Sequence, residues 1–285
     1  MSAALPGLID THCHFDVDDF DADRAEVAAR ALAAGVDTII IPGYIAAQWP
    51  KLFQVCDSFT APRLLPAPGL HPCYITRHEP SHLTELEHLL QTRRDIIAIG
   101  EIGLDYFLTE LREPDLKTKQ DYFFREQLRL AMHYHKPVLL HVRKAHAEVI
   151  AILRELKFRE GGVVHAWSGG IEEARQYVKL GFRLGIGGSL TYDQSKRLRA
   201  VVCEMPMEAL VLETDAPDMI PQSHRAPGPG RTRNSPEYLP AVVHALSELK
   251  GVTVEQVVHD MRQQSSLALR LPENTASLDM MERSE

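Results

Sequence analysis

The chain has 285 residues, of which 45% are hydrophobic and 25% charged, a balance typical of a folded globular protein and not of a fibre or a disordered segment. Its formal net charge of -8 disfavours broad electrostatic adhesion to nucleic acid and restricts any such contact to a local patch. No apolar run is long enough to span a bilayer, residues 1–8 lack the features of a signal peptide, and the four cysteines form no paired motif. We therefore expect a cytoplasmic protein with reduced thiols and no membrane association.

Short apolar runs alternate with longer amphipathic segments along the whole chain. The predicted strands are, in order, 8–9, 38–41, 64–68, 96–99, 138–140, 162–164, 183–186 and 210–212. The predicted helices are 21–34, 46–59, 81–92, 118–133, 145–156, 171–180, 194–204, 236–249 and 254–271. Eight strand-plus-helix units predict a single-domain α/β protein, a (β/α)8 TIM barrel over 1–272, with a doubly wound parallel sheet as the alternative. Residues 273–285 are polar, and we expect this tail to be frayed.

The predicted first strand runs into the motif Leu-Ile-Asp-Thr-His-Cys-His-Phe-Asp at 8–16. Because side chains alternate between the two faces of a strand, His12 and His14 point the same way. Two converging neutral imidazoles suit a divalent metal such as zinc, manganese or cobalt, and Asp10 and Asp16 are near enough to orient them or to add an oxygen ligand. Taken alone the motif is weak evidence, since two polar residues at a strand end have the same pattern.

Residue types that bind metals recur at the same end of five predicted strands. Those at or just beyond the C-terminal ends of strands one, four, five, six and eight are His12, His14, Glu101, His141, His165 and Asp215. Barrel active sites are built on this rim, so residues distant in sequence meet around one axis, and we predict a metal centre there. Six ligands exceed the need of one tetrahedral zinc ion, which indicates two divalent ions with Glu101 as the bridging carboxylate.

The remaining histidines provide a comparison. His133 and His135 repeat the His-x-His spacing at a predicted helix end, where residues two apart point to different sides and interact instead with the helix dipole. Those on predicted loops or helices, which we expect to be solvated, are His78, His82, His88, His244 and His259. Position after a strand therefore distinguishes the candidate ligands.

Six motifs together resemble the TatD-like metal-dependent deoxyribonucleases of the amidohydrolase superfamily. They are Ile-Asp-Thr-His-Cys-His at 9–14, Gly-Leu-His-Pro at 69–72, Gly-Glu-Ile-Gly-Leu-Asp-Tyr at 100–106, Pro-Val-Leu-Leu-His at 137–141, His-Ala-Trp-Ser-Gly at 165–169 and Leu-Glu-Thr-Asp-Ala-Pro at 212–217. They occur in the family's order over nearly the whole chain. The chain departs from the family pattern in the loop 216–234 and at Trp167, where the family commonly has Phe.

The resemblance implies a metal-dependent nuclease with two divalent ions as cofactors, magnesium, manganese or zinc. In the implied ligand sets one ion is bound by His12, His14, Glu101 and Asp215, and the other by Glu101, His141 and His165. The implied substrate is DNA, hydrolysed at phosphodiester bonds from single-stranded 3′ ends, and some members of the family are credited with removing D-amino acids from tRNA. No obligate protein partner is expected.

Catalytic and substrate-binding roles follow as hypotheses. We expect Asp215 and Glu101 to be catalytic, with Asp215 accepting the proton of the attacking water. The resemblance makes His71 a catalytic residue and a phosphate contact, although a purely structural histidine has an equal claim. The other expected substrate contacts are Arg143, Arg233 and Asn234 for phosphates and Trp167 or Tyr106 for a terminal base. Arg143 has an alternative reading as a solvated loop charge, and Trp167 and Tyr106 as packing residues.

Two other functions stay open from the residues alone. The same metal-activated water attacks a carbonyl carbon, so the protein is alternatively a carbonyl-ester hydrolase of lactonase or D-aminoacyl-tRNA deacylase type. A third reading is a barrel that binds metal and nucleic acid without catalysis. The full ligand set argues against the third reading, because binding alone does not require Asp215 beside an activated water.

Overall fold

The computed structural model describes residues 7–228 and 230–271. Its strands are β1 Leu8–Asp10, β2 Val36–Pro42, β3 Arg63–Ala67, β4 Ile99–Asp105, β5 Val138–Arg143, β6 Gly162–Val164, β7 Phe182–Ile186 and β8 Leu210–Leu212. Its α-helices are α1 Arg24–Ala33, α2 Trp49–Asp57, α3 Pro80–Thr92, α4 Pro114–His133, α5 His146–Glu155, α6 Ile171–Lys179, α7 Lys196–Glu204, α8 Leu239–Lys250 and α9 Val254–Leu269. Each predicted element is therefore present, most with ends shifted by a few residues.

Local sequence explains where these elements begin and end. Strands are rich in valine, isoleucine and leucine, which suit a surface buried on both sides. Pro80 and Pro114 open α3 and α4, at positions where no N–H is needed. Gly251 ends α8 with a left-handed φ of 65° that a residue with a Cβ adopts only under strain.

The strands close into a barrel. They form two parallel sheets, one containing β1 to β3 and the other β4 to β8 in chain order. Between the sheets, the N–H of Ile97 donates to the carbonyl of Pro66 at 3.1 Å, and the N–H of Thr11 donates to the carbonyl of Leu212 at 3.0 Å. These bonds bridge both gaps, so the predicted (β/α)8 TIM barrel is confirmed in place of a doubly wound sheet.

An apolar layer fills the N-terminal end of the barrel. Its members are Ile9, Ile40, Ala67, Leu139, Val163 and Val211 from the strands, Ala98 directly before β4, Ala268 and Leu269 at the end of α9, and Leu271 two residues beyond it. His141, His165 and Glu213 each lie two positions beyond a member of this layer, so they face the same interior one layer higher. The apolar layer thus forms the floor beneath the polar side chains. A larger cluster packs the helices onto the outside of the strands.

Strand β4 differs from its prediction. The apolar run 96–99 suggested a strand that ends there, whereas the observed strand runs from Ile99 to Asp105 and is buried throughout. Glycine and a charged residue normally interrupt a strand, but here glycine allows β4 and β5 to approach closely. A Cβ on Gly103, whose φ is 145°, would lie 1.9 Å from the carbonyl oxygen of His141. Glu101 therefore lies within the strand, at the barrel interior, and not beyond the strand end.

The limits of the chain are tested only in part. No helix within residues 7–228 and 230–271 combines the length and apolar character needed to cross a membrane. The expected frayed tail, 273–285, lies outside the described residues. The single-domain boundary and the cytoplasmic location stay predictions.

His78 corrects a second expectation. We predicted a solvated side chain, but the structure leaves it 0% exposed. Its Nε2 donates a hydrogen bond to the backbone carbonyl of His71 at 2.8 Å, and the ring packs beside Phe123. Burial lowers the pKa of His78 to about 4. A neutral His78 therefore supports the turn that carries His71.

This burial makes stability dependent on pH. The unfolded chain protonates His78 near pH 6.5, whereas the folded chain does so only near pH 4, so acidification between these values favours the unfolded chain. We expect His78 to contribute a loss of at most about 3 kcal/mol over this range. Urea unfolding of the parent and a His78→Gln variant from pH 7 to 4 measures this contribution, with the exposed His88→Gln as the matched control. Parallel pH profiles for the parent and His78→Gln would contradict the prediction.

Candidate metal centre

The structure gathers the predicted ligands at the C-terminal end of the barrel. His12 and His14 follow β1, and Glu101 lies in β4. His165 and Asp215 follow β6 and β8. His141 lies in β5, where its register partner is Gly103 of β4. All six side chains therefore come from strands or from the residues directly after them, which gives them well-defined positions.

Glu101 is the centre of the cluster, and one of its oxygens faces three histidines. Glu101 Oε1 lies 2.8 Å from His165 Nε2, 2.9 Å from His141 Nδ1 and 3.1 Å from His71 Nε2. The carboxylate is 1% exposed. Burial alone would raise the pKa of Glu101, but the charges of the surrounding histidines, His165 first, hold it well below its usual value. Glu101 is therefore an ionised carboxylate in the barrel interior.

The other oxygen of Glu101 faces the His-x-His motif. Oε2 lies 3.1 Å from His12 Nε2 and 3.6 Å from His14 Nε2. Asp215 closes this side, with Oδ1 at 3.7 Å from the Nε2 atom of each histidine. The backbone of Asp215 is left-handed, with φ of 54°, and its N–H donates to the carbonyl of His12 at 2.8 Å. The two carboxylate oxygens of Glu101 thus divide the histidines into two groups.

The chemistry of these donors fits divalent cations. Two overlapping groups have one ligand atom from each residue within 4.8 Å of the others, His12 with His14 and Glu101, and Glu101 with His141 and His165. His12, His14 and His165 each turn Nε2 toward Glu101, and among the residues that the structure describes His12 Nε2 makes no hydrogen bond although it lies 3.1 Å from Glu101 Oε2. Lone pairs that converge without hydrogen bonds are suited to a shared cation, and imidazole with carboxylate suits zinc, manganese or magnesium.

Asp105 orients one of the histidines from behind. The Nε2 of His141 lies 2.9 Å from Asp105 Oδ2, so an N–H donated there leaves Nδ1 as the lone-pair atom facing Glu101. Burial alone would raise the pKa of Asp105, but hydrogen bonds from His141 and from the N–H groups of Leu108 and Phe107 hold it at about 2. Asp105 is thus an ionised acceptor that fixes the tautomer of His141.

Two further buried carboxylic acids support the cluster from below. Asp10 accepts hydrogen bonds from the hydroxyl and N–H of Thr214 and from the N–H of His12, which ties β1 to β8 directly under the site. Glu213 accepts the N–H of Ala166 at 2.6 Å. Burial raises the pKa of Asp10 to about 7 and that of Glu213 to about 8. Sequence analysis did not select Glu213, although its alternation with buried Val211 indicated an interior position.

The predicted substrate contacts fall in different places. His71 lies in the cluster, where its Nδ1 accepts the N–H of Cys73 at 3.0 Å. Arg233 makes two hydrogen bonds of 2.7 Å to Asp23, and Asn234 is buried with its amide donating to the carbonyl of Thr214 at 2.8 Å. Arg233 and Asn234 therefore make these hydrogen bonds to other residues of the protein. Their roles as substrate contacts stay predictions.

The remaining predicted contacts lie away from the cluster. Arg143 is exposed, and its guanidinium carbon lies 3.6 Å from the ring centroid of Phe107. Trp167 is 4% exposed and lines a neighbouring pocket. Tyr106 is partly buried, with the ammonium nitrogen of Lys117 4.6 Å from its ring centroid. None of these three side chains lines the pocket that contains Glu101.

That pocket has aromatic walls that sequence analysis missed. Its volume is about 400 Å³, and it opens above the cluster, with Tyr44 and Tyr74 among its lining residues. The two rings are 5.2 Å apart, and Tyr74 is 38% exposed. Tyr44 follows β2 by two residues, a position that could have indicated it from the sequence, whereas Tyr74 lies in the connection between β3 and α3, where only the folded chain shows that it faces the metal centre. They offer an apolar surface beside a strongly polar site.

A barrel that brings four histidines and two carboxylates together at the C-terminal ends of its strands is typical of metal-dependent hydrolases. A family model described as TatD related DNase matches residues 9–269. The chain belongs to this family.

Similar proteins agree with this assignment. The chain is 34% identical over 266 residues to the "Uncharacterized metal-dependent hydrolase YjjV" of Escherichia coli K12, covering 93% of this chain and 98% of that protein. The crystal structure of that TatD homologue superposes with a TM-score of 0.85 at 33% identity, covering 94% of this chain and 100% of the other. The chain is also 33% identical over 252 residues to the "3′-5′ ssDNA/RNA exonuclease TatD" of Cronobacter sakazakii, covering 86% of this chain and 90% of that protein.

An Asp105→Asn variant tests the support of His141. The Oδ1 of Asp105 accepts the N–H groups of Phe107 and Leu108, and an asparagine oxygen retains these bonds. The amide NH2 then faces His141 Nε2 and cannot accept its proton. We expect metal affinity to fall about 10- to 100-fold with the fold intact. Competition with a chromogenic chelator measures the affinity, circular dichroism checks the fold, and exposed Asp115→Asn is the control. Equal affinities in parent and variant would refute the orienting role.

Proposed function

We propose that the protein hydrolyses phosphodiester bonds in DNA with two divalent ions, releasing nucleotides from single-stranded 3′ ends. The observation that carries the proposal is the division of the Glu101 oxygens between two groups of histidines. A carboxylate placed in this way would hold two neighbouring ions, and such a pair would stabilise both the attacking and the leaving oxygen of a phosphate diester. Magnesium, manganese and zinc are the candidate ions.

The protein residues supply proton transfer and orientation. Divalent ions held by the histidines, Glu101 and Asp215 would supply Lewis acidity and would lower the pKa of a bound water toward neutrality. Asp215 borders the His12 and His14 side of the cluster, where its carboxylate accepts the proton of the attacking water. His71 is neutral because burial lowers its pKa, and its Nδ1 accepts the N–H of Cys73. The ring proton therefore sits on Nε2, which lies 3.1 Å from Glu101 Oε1 at the site and is the atom that would donate to a phosphoryl oxygen bound there.

The walls of the pocket favour a nucleotide over a small ester. Tyr44 and Tyr74 stand beside the metal centre with one exposed ring, and such rings stack on a nucleobase of any sequence. The pocket has a volume of about 400 Å³, which is large enough for a terminal nucleotide. The similarity to the Cronobacter sakazakii exonuclease supports the same substrate class.

Removal of the central carboxylates tests the reaction. We expect Glu101→Ala and Asp215→Ala each to lower nucleotide release by about 100-fold or more, because one variant loses the shared ligand and the other the proton acceptor. The assay follows a 5′-labelled single strand with magnesium or manganese, so that shortening from the 3′ end is read directly. Exposed Glu208→Ala, at the opposite end of β8, is the matched control. Full activity in both variants would remove this centre from the mechanism.

A substrate panel separates the proposal from its rivals. The parent is given the oligonucleotide, charged tRNA and lactones with each metal in turn. Turnover of DNA that depends on Glu101 and Asp215 supports the proposal. Turnover of a carbonyl ester without turnover of DNA would identify the carbonyl-ester hydrolase, and tight DNA binding without cleavage at any metal would identify the non-catalytic binder.

A further inference from the structure

A free thiol lines the wall of the pocket above Glu101. Cys73 follows His71 by two residues in the connection between β3 and α3, and its side chain is partly buried. Its Sγ donates to Asp105 Oδ2 at 3.5 Å, and the residue lines the pocket of about 400 Å³. The thiol belongs to neither predicted ligand set and takes no part in the proton transfer described above. It is therefore a metal donor at this site without an assigned role.

Two imidazoles lie beside this thiol. One ligand atom from each of Cys73, His71 and His141 lies within 4.8 Å of the others. The centroids of the two imidazole rings are 4.4 Å apart. The N–H of Cys73 donates to His71 Nδ1 at 3.0 Å, and Sγ is three bonds from this N–H, so the Nδ1 lone pair is on the side of the thiol. His141 comes from β5, so the three donors converge from two separate segments of the chain.

The donor types of this group differ from those around Glu101. Imidazole with carboxylate accepts magnesium, manganese or zinc, whereas a thiolate is a soft ligand that favours zinc or cadmium and binds magnesium poorly. Zinc lies about 2.3 Å from sulfur and about 2.1 Å from an imidazole nitrogen, so donors at this separation reach one ion after small side-chain rotations. Three protein ligands with a fourth position open to water are a common zinc arrangement. The group therefore suits a thiophilic divalent cation.

A cation in this group competes with one of the ions predicted at Glu101. His141 belongs to both groups, and a neutral imidazole has one proton and therefore one lone pair for a metal. Its Nδ1 faces Glu101 and its Nε2 faces Asp105, each at 2.9 Å. Coordination through Nδ1 takes the lone pair that the predicted ion needs. Coordination through Nε2 moves the ring proton to Nδ1, with the same consequence.

We propose that Cys73, His71 and His141 form a site for a thiophilic divalent cation, zinc or cadmium, whose binding displaces the predicted ion that shares His141. The cation forms a bond to sulfur in place of the thiol proton, which passes to solvent, and no electron is transferred. Magnesium leaves the thiol protonated, because it prefers oxygen ligands. The choice of cation therefore decides which of two overlapping sites is occupied, whichever ester the protein hydrolyses.

Cadmium absorption tests for the sulfur ligand. A cadmium–thiolate bond gives an ultraviolet charge-transfer band that imidazole and carboxylate ligands do not give. Cadmium is titrated into the magnesium-loaded protein, and we expect a saturable band in the parent that Cys73→Ser lacks, while the serine hydroxyl retains a donor for Asp105. Cys203→Ser removes an exposed thiol in α7 and is the matched control, which is expected to retain the band. No band in the parent, or an equal band in Cys73→Ser, would overturn the proposal.

A His71→Asn variant tests whether the thiol acts alone. It retains the thiol and removes one imidazole, and the asparagine oxygen accepts the N–H of Cys73 in place of Nδ1. We expect cadmium affinity at least about tenfold weaker, with the same band at saturation. Exposed His88→Asn is the matched control, and circular dichroism checks the fold of each variant. Parental affinity in His71→Asn would show that cadmium binds an isolated cysteine, and the proposal would fail.

Release of manganese tests the competition. The protein is loaded with manganese, and electron paramagnetic resonance follows the signal of the free ion as cadmium is added. We expect release from the parent to follow the absorption band, and Cys73→Ser to need about tenfold more cadmium, because only exchange at the remaining ligands then displaces manganese. A band without release, or release at the same cadmium concentration in both proteins, would overturn the proposal. None of these readouts uses a substrate, so they are independent of the proposed function.

Discussion

Burial of the Glu101 carboxylate is the constraint on which the rest of the structure depends. An ionised carboxylate removed from water is stable only with compensating charge or hydrogen bonds, and here histidines from four strand ends approach its two oxygens. β4 carries this residue inside the barrel because Gly103 lets its backbone lie against β5. The same requirement for positive charge makes the position suitable for divalent cations. Stability and chemistry therefore depend on one side chain.

Apolar and polar side chains occupy different layers of the barrel interior. Side chains of the floor and of the cluster come from the same strands two residues apart, so the position of His141 is fixed by the packing of Leu139 beneath it. Asp10 joins β1 to β8 at the boundary between the layers. Asp105 then fixes the ring that Glu101 contacts. His12 and His141 thus each contact a carboxylate outside the predicted ligand set, Asp10 and Asp105 respectively.

The walls of the pocket above Glu101 come from different parts of the chain from the predicted metal donors. The donors lie on strands or directly after them, whereas Tyr44 and Tyr74 lie in the connections that follow β2 and β3. Connections change more readily than barrel strands. Related chains with the same donors are therefore free to differ in substrate.

The sequence by itself determined the alternation of strands and helices, the barrel, and the residues that meet at its rim. Hydrophobic periodicity indicates which segments form strands and which form helices, and the C-terminal ends of parallel barrel strands lie on the same side. It misplaced β4 and the solvation of His78, since both depend on contacts with distant segments. It also could not show that Asn234 is engaged by Thr214, or that Trp167 faces a separate pocket. Those outcomes are decided by packing between segments far apart in the chain, which local residue patterns do not encode.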